Sequence, residues 1–75
     1  MARDYKLSRK VTQKESEEIV KEVTLLNNVK KVIIIDDYLE VETYDNDFSQ
    51  VMARAVNICG KIAEGCEISF AKFVL

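Results

Sequence analysis

The hydrophobic pattern of this 75-residue chain switches between a period of two and a period near 3.6, and the order of the switches leaves few folds open. Residues 4–11, DYKLSRKV, alternate: Tyr5, Leu7 and Val11 fall on one face, Lys6, Ser8 and Lys10 on the other. That spacing predicts a half-buried strand, and Arg9 on its apolar side marks a strand end. Thr12 then opens a helix. In TQKE, residues 12–15, the Thr12 hydroxyl can accept from the Glu15 amide while the Glu15 carboxylate reaches back to the Thr12 amide, a capping box. Glu15, Glu17 and Glu18 favour the positive end of the helix dipole. Ser16, Ile19, Val20, Val23 and Leu26 form one buried stripe, and Glu17 and Lys21 are spaced as an ion pair on the outer face. Asn27-Asn28 predicts the end, because Asn tolerates the left-handed conformation of a helix C-terminus.

Val29 to Asp36, VKKVIIID, is rich in β-branched residues and reads as a second strand. Asp36-Asp37 is a turn signal, after which Leu39, Val41 and Thr43 alternate with Glu40, Glu42 and Tyr44, the return strand of a hairpin. DFSQ, residues 47–50, predicts a second capping box. The helix behind it places Phe48, Val51, Met52, Ala55, Ile58, Cys59 and Ile62 on one side, with Gly65 as its C-terminal cap. Cys66, Ile68 and Phe70 then alternate with Glu67, Ser69 and Ala71 in a last strand ending near Val74. The order βαββαβ predicts a single α+β domain over residues 1–75, with two helices on one face of a four-stranded antiparallel sheet, the ferredoxin-like arrangement. No proline and only two glycines argue against a turn-rich all-β sandwich.

The same composition excludes several chemistries. There is no histidine, so a histidine-based triad, a histidine metal cage and a two-Cys/two-His zinc finger cannot be built from this chain. A domain this small buries roughly 60% of the surface its unfolded chain exposes and has little room for a deep cleft. No local spacing pairs a nucleophile with a base, so the chain is read as non-enzymatic. Cys59 and Cys66 both fall at apolar positions, where a free thiol packs as a small hydrophobe; a disulfide, or a soft cation such as Zn(II) or Cu(I), is the alternative. Asp36, Asp37, Asp45 and Asp47 are accounted for by turns and a cap, since Asp-Asn-Asp at 45–47 lacks the glycine and the distant glutamate of a calcium loop. Tyr38 and Tyr44 could face outward on one strand, but Glu40 and Glu42 beside them repel phosphate, so no nucleic-acid partner is expected. No apolar stretch is long enough to insert in a membrane, and the expected setting is cytoplasmic with reduced thiols. The formal net charge of −2 conceals a basic N-terminal region, with Arg3, Lys6, Arg9, Lys10 and Lys14 set against Asp4 alone. Such an arm can meet an anionic partner or form a solvated outer face.

At this point the chain resembles a family. YKL at 5–7 is similar to the opening strand of heavy-metal-associated domains, above all the N-terminal domains of zinc/cadmium-type P-type transport ATPases. Asn28-Val29 stands where that family has Gly-Val after the first helix, and FSQVMARAVNICGKIAEGCEISF resembles its second helix and last strand. Aligned on these anchors, Thr12 and Glu15 stand where the family carries its two metal-binding cysteines. The resemblance implies a non-enzymatic interaction or regulatory module in heavy-metal transport, with that metal site lost. It also implies a protein partner, either a related domain, a transport ATPase or a second copy, docking at Arg9, Lys10 and Lys14. Cationic side chains there oppose a bound cation. The loss is also physically coherent: helix amides that once faced thiolates need another acceptor, and Thr12 with Glu15 supplies one. The alternatives are a metallochaperone-like protein using Cys59 and Cys66, or a ferredoxin-like module binding RNA or a small ligand.

Overall fold

A computed structural model describes residues 2–74. Six elements follow in order: β1 (Ala2–Leu7), α1 (Gln13–Thr24), β2 (Val29–Ile35), β3 (Tyr38–Thr43), α2 (Ser49–Ile62) and β4 (Ile68–Val74). The strands form one sheet in the order β2-β3-β1-β4, antiparallel at every pairing. This is the predicted ferredoxin-like βαββαβ fold.

One face of the sheet is apolar because β1 and β3 alternate in register, while shifts in the pairings of β2 and β4 bring further apolar residues to that side. Tyr5 lies opposite Leu39 on β3 and Phe70 on β4, and Val32 opposite Val41. These side chains meet Ile19 and Val23 of α1 and Val51, Ala55 and Cys59 of α2 in a single core. Leu7, Ile19, Val23, Leu39, Val41 and Cys59 are fully buried within it. The other face carries the opposite phase, where Asp4 pairs with Glu40 and Lys6 with Tyr38. The hairpin between β2 and β3 turns at Asp36, whose φ of 55° is the left-handed value that Asp tolerates.

Several predicted boundaries move, each for a visible reason. β1 stops at Leu7 rather than running to Val11. Beyond it neither neighbour offers a strand partner: β3 begins opposite Lys6 and β4 opposite Leu7. The Leu7 and Ser8 amides donate instead to the carbonyls of Asp37 and Glu67, at 2.7 and 2.9 Å. Val11 still packs against the core, but from the loop. α1 ends at Thr24 with Leu25 as its cap, ahead of Asn27. The left-handed residue is Asn28, φ 72°, which turns the chain into β2. Glu17 is met by Gln13, whose Nε2 donates to it at 3.5 Å, rather than by Lys21.

The predicted capping box at 47–50 does not form. Phe48 is drawn into the core and becomes the N-cap, so α2 starts one residue late and Gln50 falls out of phase. The Asp47 Oδ1 still accepts from the Ser49 amide at 3.1 Å and the Ser49 hydroxyl at 2.8 Å, a turn rather than a box. At the other end Ala63, not Gly65, caps α2. Gly65 lies just beyond at φ 74°, and its amide reaches back to the Gly60 carbonyl at 3.2 Å. Cys66 precedes β4 rather than opening it, yet stays buried. A register shift in the β1–β4 pairing skips Ala71, so Phe73 as well as Phe70 falls on the helix side of the sheet, opposite Arg3 and Tyr5.

Candidate functional site

The loop between β1 and α1, residues 8–12, and the first turn of α1 gather the side chains of the basic edge and the cap to which the sequence assigned a role. The two ends of the loop are fixed differently. At Ser8 the loop is tied to the chain entering β4: the Glu67 amide donates to the Ser8 hydroxyl at 2.9 Å, and that hydroxyl donates to the Cys66 sulfur at 3.8 Å. At Thr12 it is tied to the helix. Thr12 has φ −69° and ψ 164°, extended backbone that turns its hydroxyl toward the first helical turn. Thr12 Oγ1 accepts from the Glu15 amide at 3.1 Å, and Glu15 Oε1 accepts from the Thr12 amide at 2.9 Å. The predicted capping box is therefore formed in both directions.

Arg9 completes the arrangement. Its guanidinium donates to both Glu15 oxygens, at 3.3 and 3.2 Å, and to the Lys10 carbonyl at 2.9 Å. The fork geometry of guanidinium and carboxylate makes this a two-point contact. Arg9, followed by the Thr12 amide, holds the Glu15 carboxyl below its usual range. Glu15 therefore stays ionised at the positive end of α1, where its charge opposes the helix dipole. The carboxylate is committed three times over, to Arg9, to Thr12 and to the dipole.

Lys10 and Lys14 are exposed on the same loop and first turn. A shallow depression of about 290 Å³ lies beside them, lined by Lys10, Val11, Gln13, Ser16, Ile34 and Asp36. On the helix-free face the Lys6 ammonium bonds Asp37 and lies 4.9 Å from the Tyr38 ring. The structure thus brings Arg9, Lys10, Thr12, Lys14 and Glu15 onto one edge of the domain.

Cys59 lies away from this edge, while Cys66 touches the start of the loop only through Ser8. Both are free and buried, Cys59 on the inner face of α2 and Cys66 in the turn behind it. Burial, with Cys66 adding to it, pushes the Cys59 thiol up to about 12, so it carries almost no thiolate near neutral pH. Among the described residues no group of three or more His, Cys, Asp or Glu side chains is arranged to hold a metal ion. Asp45 is engaged as a turn acceptor, and its carboxyl is held low by the Asp47 amide and the Asn28 side chain. Among the described residues no helix is long and apolar enough to cross a membrane.

Two clusters escaped the sequence reading. Asp4 and Glu40 face each other across β1 and β3 on the helix-free side of the sheet. Burial first, and Asp4 second, raise the Glu40 carboxyl above its usual range. The second is Arg3, which stands over Phe48, Phe70 and Phe73. Arg3 is in phase with Tyr5 and Leu7, so its inward position was legible once the strand is extended back to Ala2. No family model, characterised protein or solved structure matches this chain.

Proposed function

We propose that this chain is a non-enzymatic interaction module of heavy-metal-associated type, in which a helix cap stands where the soft-metal ligands would be. The observation that carries the reading is the closed constellation of Arg9, Thr12 and Glu15. A thiolate pair at a helix N-terminus draws on free amides and the dipole. Here the chain's own hydroxyl and carboxylate take that place, and a guanidinium neutralises the carboxylate. A cation entering the loop would have to displace Arg9 from Glu15 and approach Lys10 and Lys14.

With the metal site closed, what the loop offers is a positively charged edge on an acidic domain. Lys10 and Lys14 project beside a small depression whose floor includes Val11 and Ile34. This combination suits a protein partner with an acidic rim and a small apolar contact: the charges steer approach and the apolar floor supplies burial. The partner classes are a related domain, a transport ATPase or a second copy of the chain, in a cytoplasmic setting.

The test is titration of the reduced protein with Zn(II), Cd(II) and Cu(I), followed by amide chemical shifts. Weak or delocalised changes are expected. Sub-micromolar binding localised at residues 9–16 would overturn the lost-site reading. Dilution of the protein alone, followed at the same amides, addresses the second-copy partner.

A further inference from the structure

Arg3 is the side chain whose surroundings the proposed function leaves unexplained. It sits on β1 in phase with Tyr5, on the side of the sheet that carries the helices. Its guanidinium carbon lies 4.3 Å from the centre of the Phe48 ring, 5.2 Å from Phe73 and 5.9 Å from Phe70. Its Nε is buried without a hydrogen-bond partner. None of the ion pairs among the described residues involves it. Arg cannot shed its proton in a protein, so this is a partly buried permanent cation that lies against aromatic rings and makes no ion pair among the described residues.

Among the described residues no acceptor meets the guanidinium N–H donors, and the two terminal nitrogens, unlike Nε, are not enclosed. Those donors form a rigid fork that matches a planar two-oxygen acceptor. Arg3 borders a depression of about 330 Å³, at the small end of ligand pockets, whose lining joins Tyr5, Phe48 and Met52 to the polar Asn46, Asp47 and Ser49. The floor offered by Tyr5, Phe48 and Met52 is apolar. The first turn of the 14-residue helix α2 abuts it, and Phe48 supplies no side-chain cap there. Asp47 opposes a doubly charged ligand. One guanidinium beside one carboxylate, the latter already accepting from the Ser49 amide at the start of α2, favours a ligand with a single negative charge.

We propose that Arg3, framed by Phe48 and Phe73, is the anion-binding residue of a carboxylate site between β1 and the start of α2. Its ligand is a monocarboxylate with an apolar body, either a small molecule or the C-terminal carboxylate of a peptide. The site is distinct from the Arg9–Lys14 edge.

The test is a nitrogen-15 NMR titration of the whole chain with four probes: sodium benzoate, N-acetyl-Ala-Ala-Phe as the free acid, the same peptide as its amide, and inorganic phosphate. Saturable shifts are expected at the Arg3 Nε–H and at the amides of Phe48 to Val51 with one or both carboxylates, and none with the peptide amide. Saturation by benzoate alone assigns a small-molecule ligand, and by the peptide acid alone a chain terminus. Arg3→Met should weaken binding by about tenfold or more, with Arg3→Lys between it and wild type. The proposal is overturned if neither carboxylate shifts the Arg3 Nε–H saturably, or if acid and amide bind alike. It is equally overturned if phosphate binds more tightly than both carboxylates, or if Arg3→Lys and Arg3→Met leave affinity unchanged. Should Arg3→Met fail to fold, the wild-type titration and Arg3→Lys decide.

Discussion

Replacing Thr12 with Ala isolates one half of the capping box on which the functional reading rests. The substitution deletes the acceptor that meets the Glu15 amide at 3.1 Å. It leaves the backbone bond from the Ser16 amide to the residue-12 carbonyl, 2.8 Å long, and the bond from the residue-12 amide to Glu15 Oε1 at 2.9 Å. One helix amide therefore loses its partner while the helix keeps its start. The expected cost is about 1 kcal/mol, within the range of roughly 0.5–2 measured for such caps. For a domain of this size that is a fall in Tm of about 4–8 °C. Thr12→Ser keeps the hydroxyl and should stay close to wild type. The assay is urea denaturation followed by far-UV circular dichroism, with the slope m checked for constancy so that a change in midpoint reads as a change in stability. The reasoning fails if Thr12→Ala and Thr12→Ser unfold at the same urea concentration, because the hydroxyl would then contribute nothing. It fails equally if Thr12→Ala costs as much as a core cavity, because residue 12 would then be packed rather than capping.

Core truncations bracket that result. Ile19→Ala and Leu39→Ala, both at fully buried positions, should each cost about 2–5 kcal/mol, whereas Leu25→Ala, at a side chain 77% exposed, should stay within about 0.5 kcal/mol in the same urea assay. Glu40 gives a pH signature: its folded carboxyl titrates above the unfolded reference of 4.5, so its contribution is fully present below that value and is lost as pH rises through the raised pKa. Glu40→Gln should accordingly be more stable than wild type near neutral pH, with the difference vanishing in thermal melts taken at pH below the unfolded value; a difference independent of pH would contradict the raised pKa. Cys59, buried and pushed up to about 12, should react with iodoacetamide only as fast as the domain opens, and its labelling should accelerate with urea; rapid native-state labelling would show an accessible thiolate.

Much of the fold was legible because its signals are local. The capping box at Thr12 and the centre of the helix stripe, Ile19 and Val23, need only neighbours within one or two helical turns and are where the sequence put them; Val20 is half-buried, and Leu26 packs from beyond the helix end. The hairpin from Val29 to Thr43 was legible for the same reason: a two-residue Asp-Asp turn joins strands of matching phase. The displaced boundaries share one cause. The end of β1 depends on where β3 and β4 run out, which no property of residues 8–11 encodes. The start of α2 depends on burying Phe48 against the sheet, which outweighs the local advantage of a cap at Asp47. The roles of Arg9 and Glu15 were visible in part. Helix-capping chemistry announced Glu15, but its pairing with Arg9 requires the loop to fold back over the helix end.

Residue order by itself determined the six elements, the inward stripe of α2, the inward phase of β3 and the filling of the α1 amide end, because periodicity and capping act over a few residues. The absence of histidine likewise excludes a histidine-based triad or metal cage built from these 75 residues. Tertiary structure alone decided which distant groups meet: Asp4 with Glu40, Ser8 with Glu67 and Cys66, and Arg3 with Phe48, Phe70 and Phe73. Those meetings arise from sheet register and from a one-residue shift in the β1–β4 pairing, which turns Phe73 inward beside Phe70. Alternation along a strand states which face a side chain takes, but not what stands opposite it.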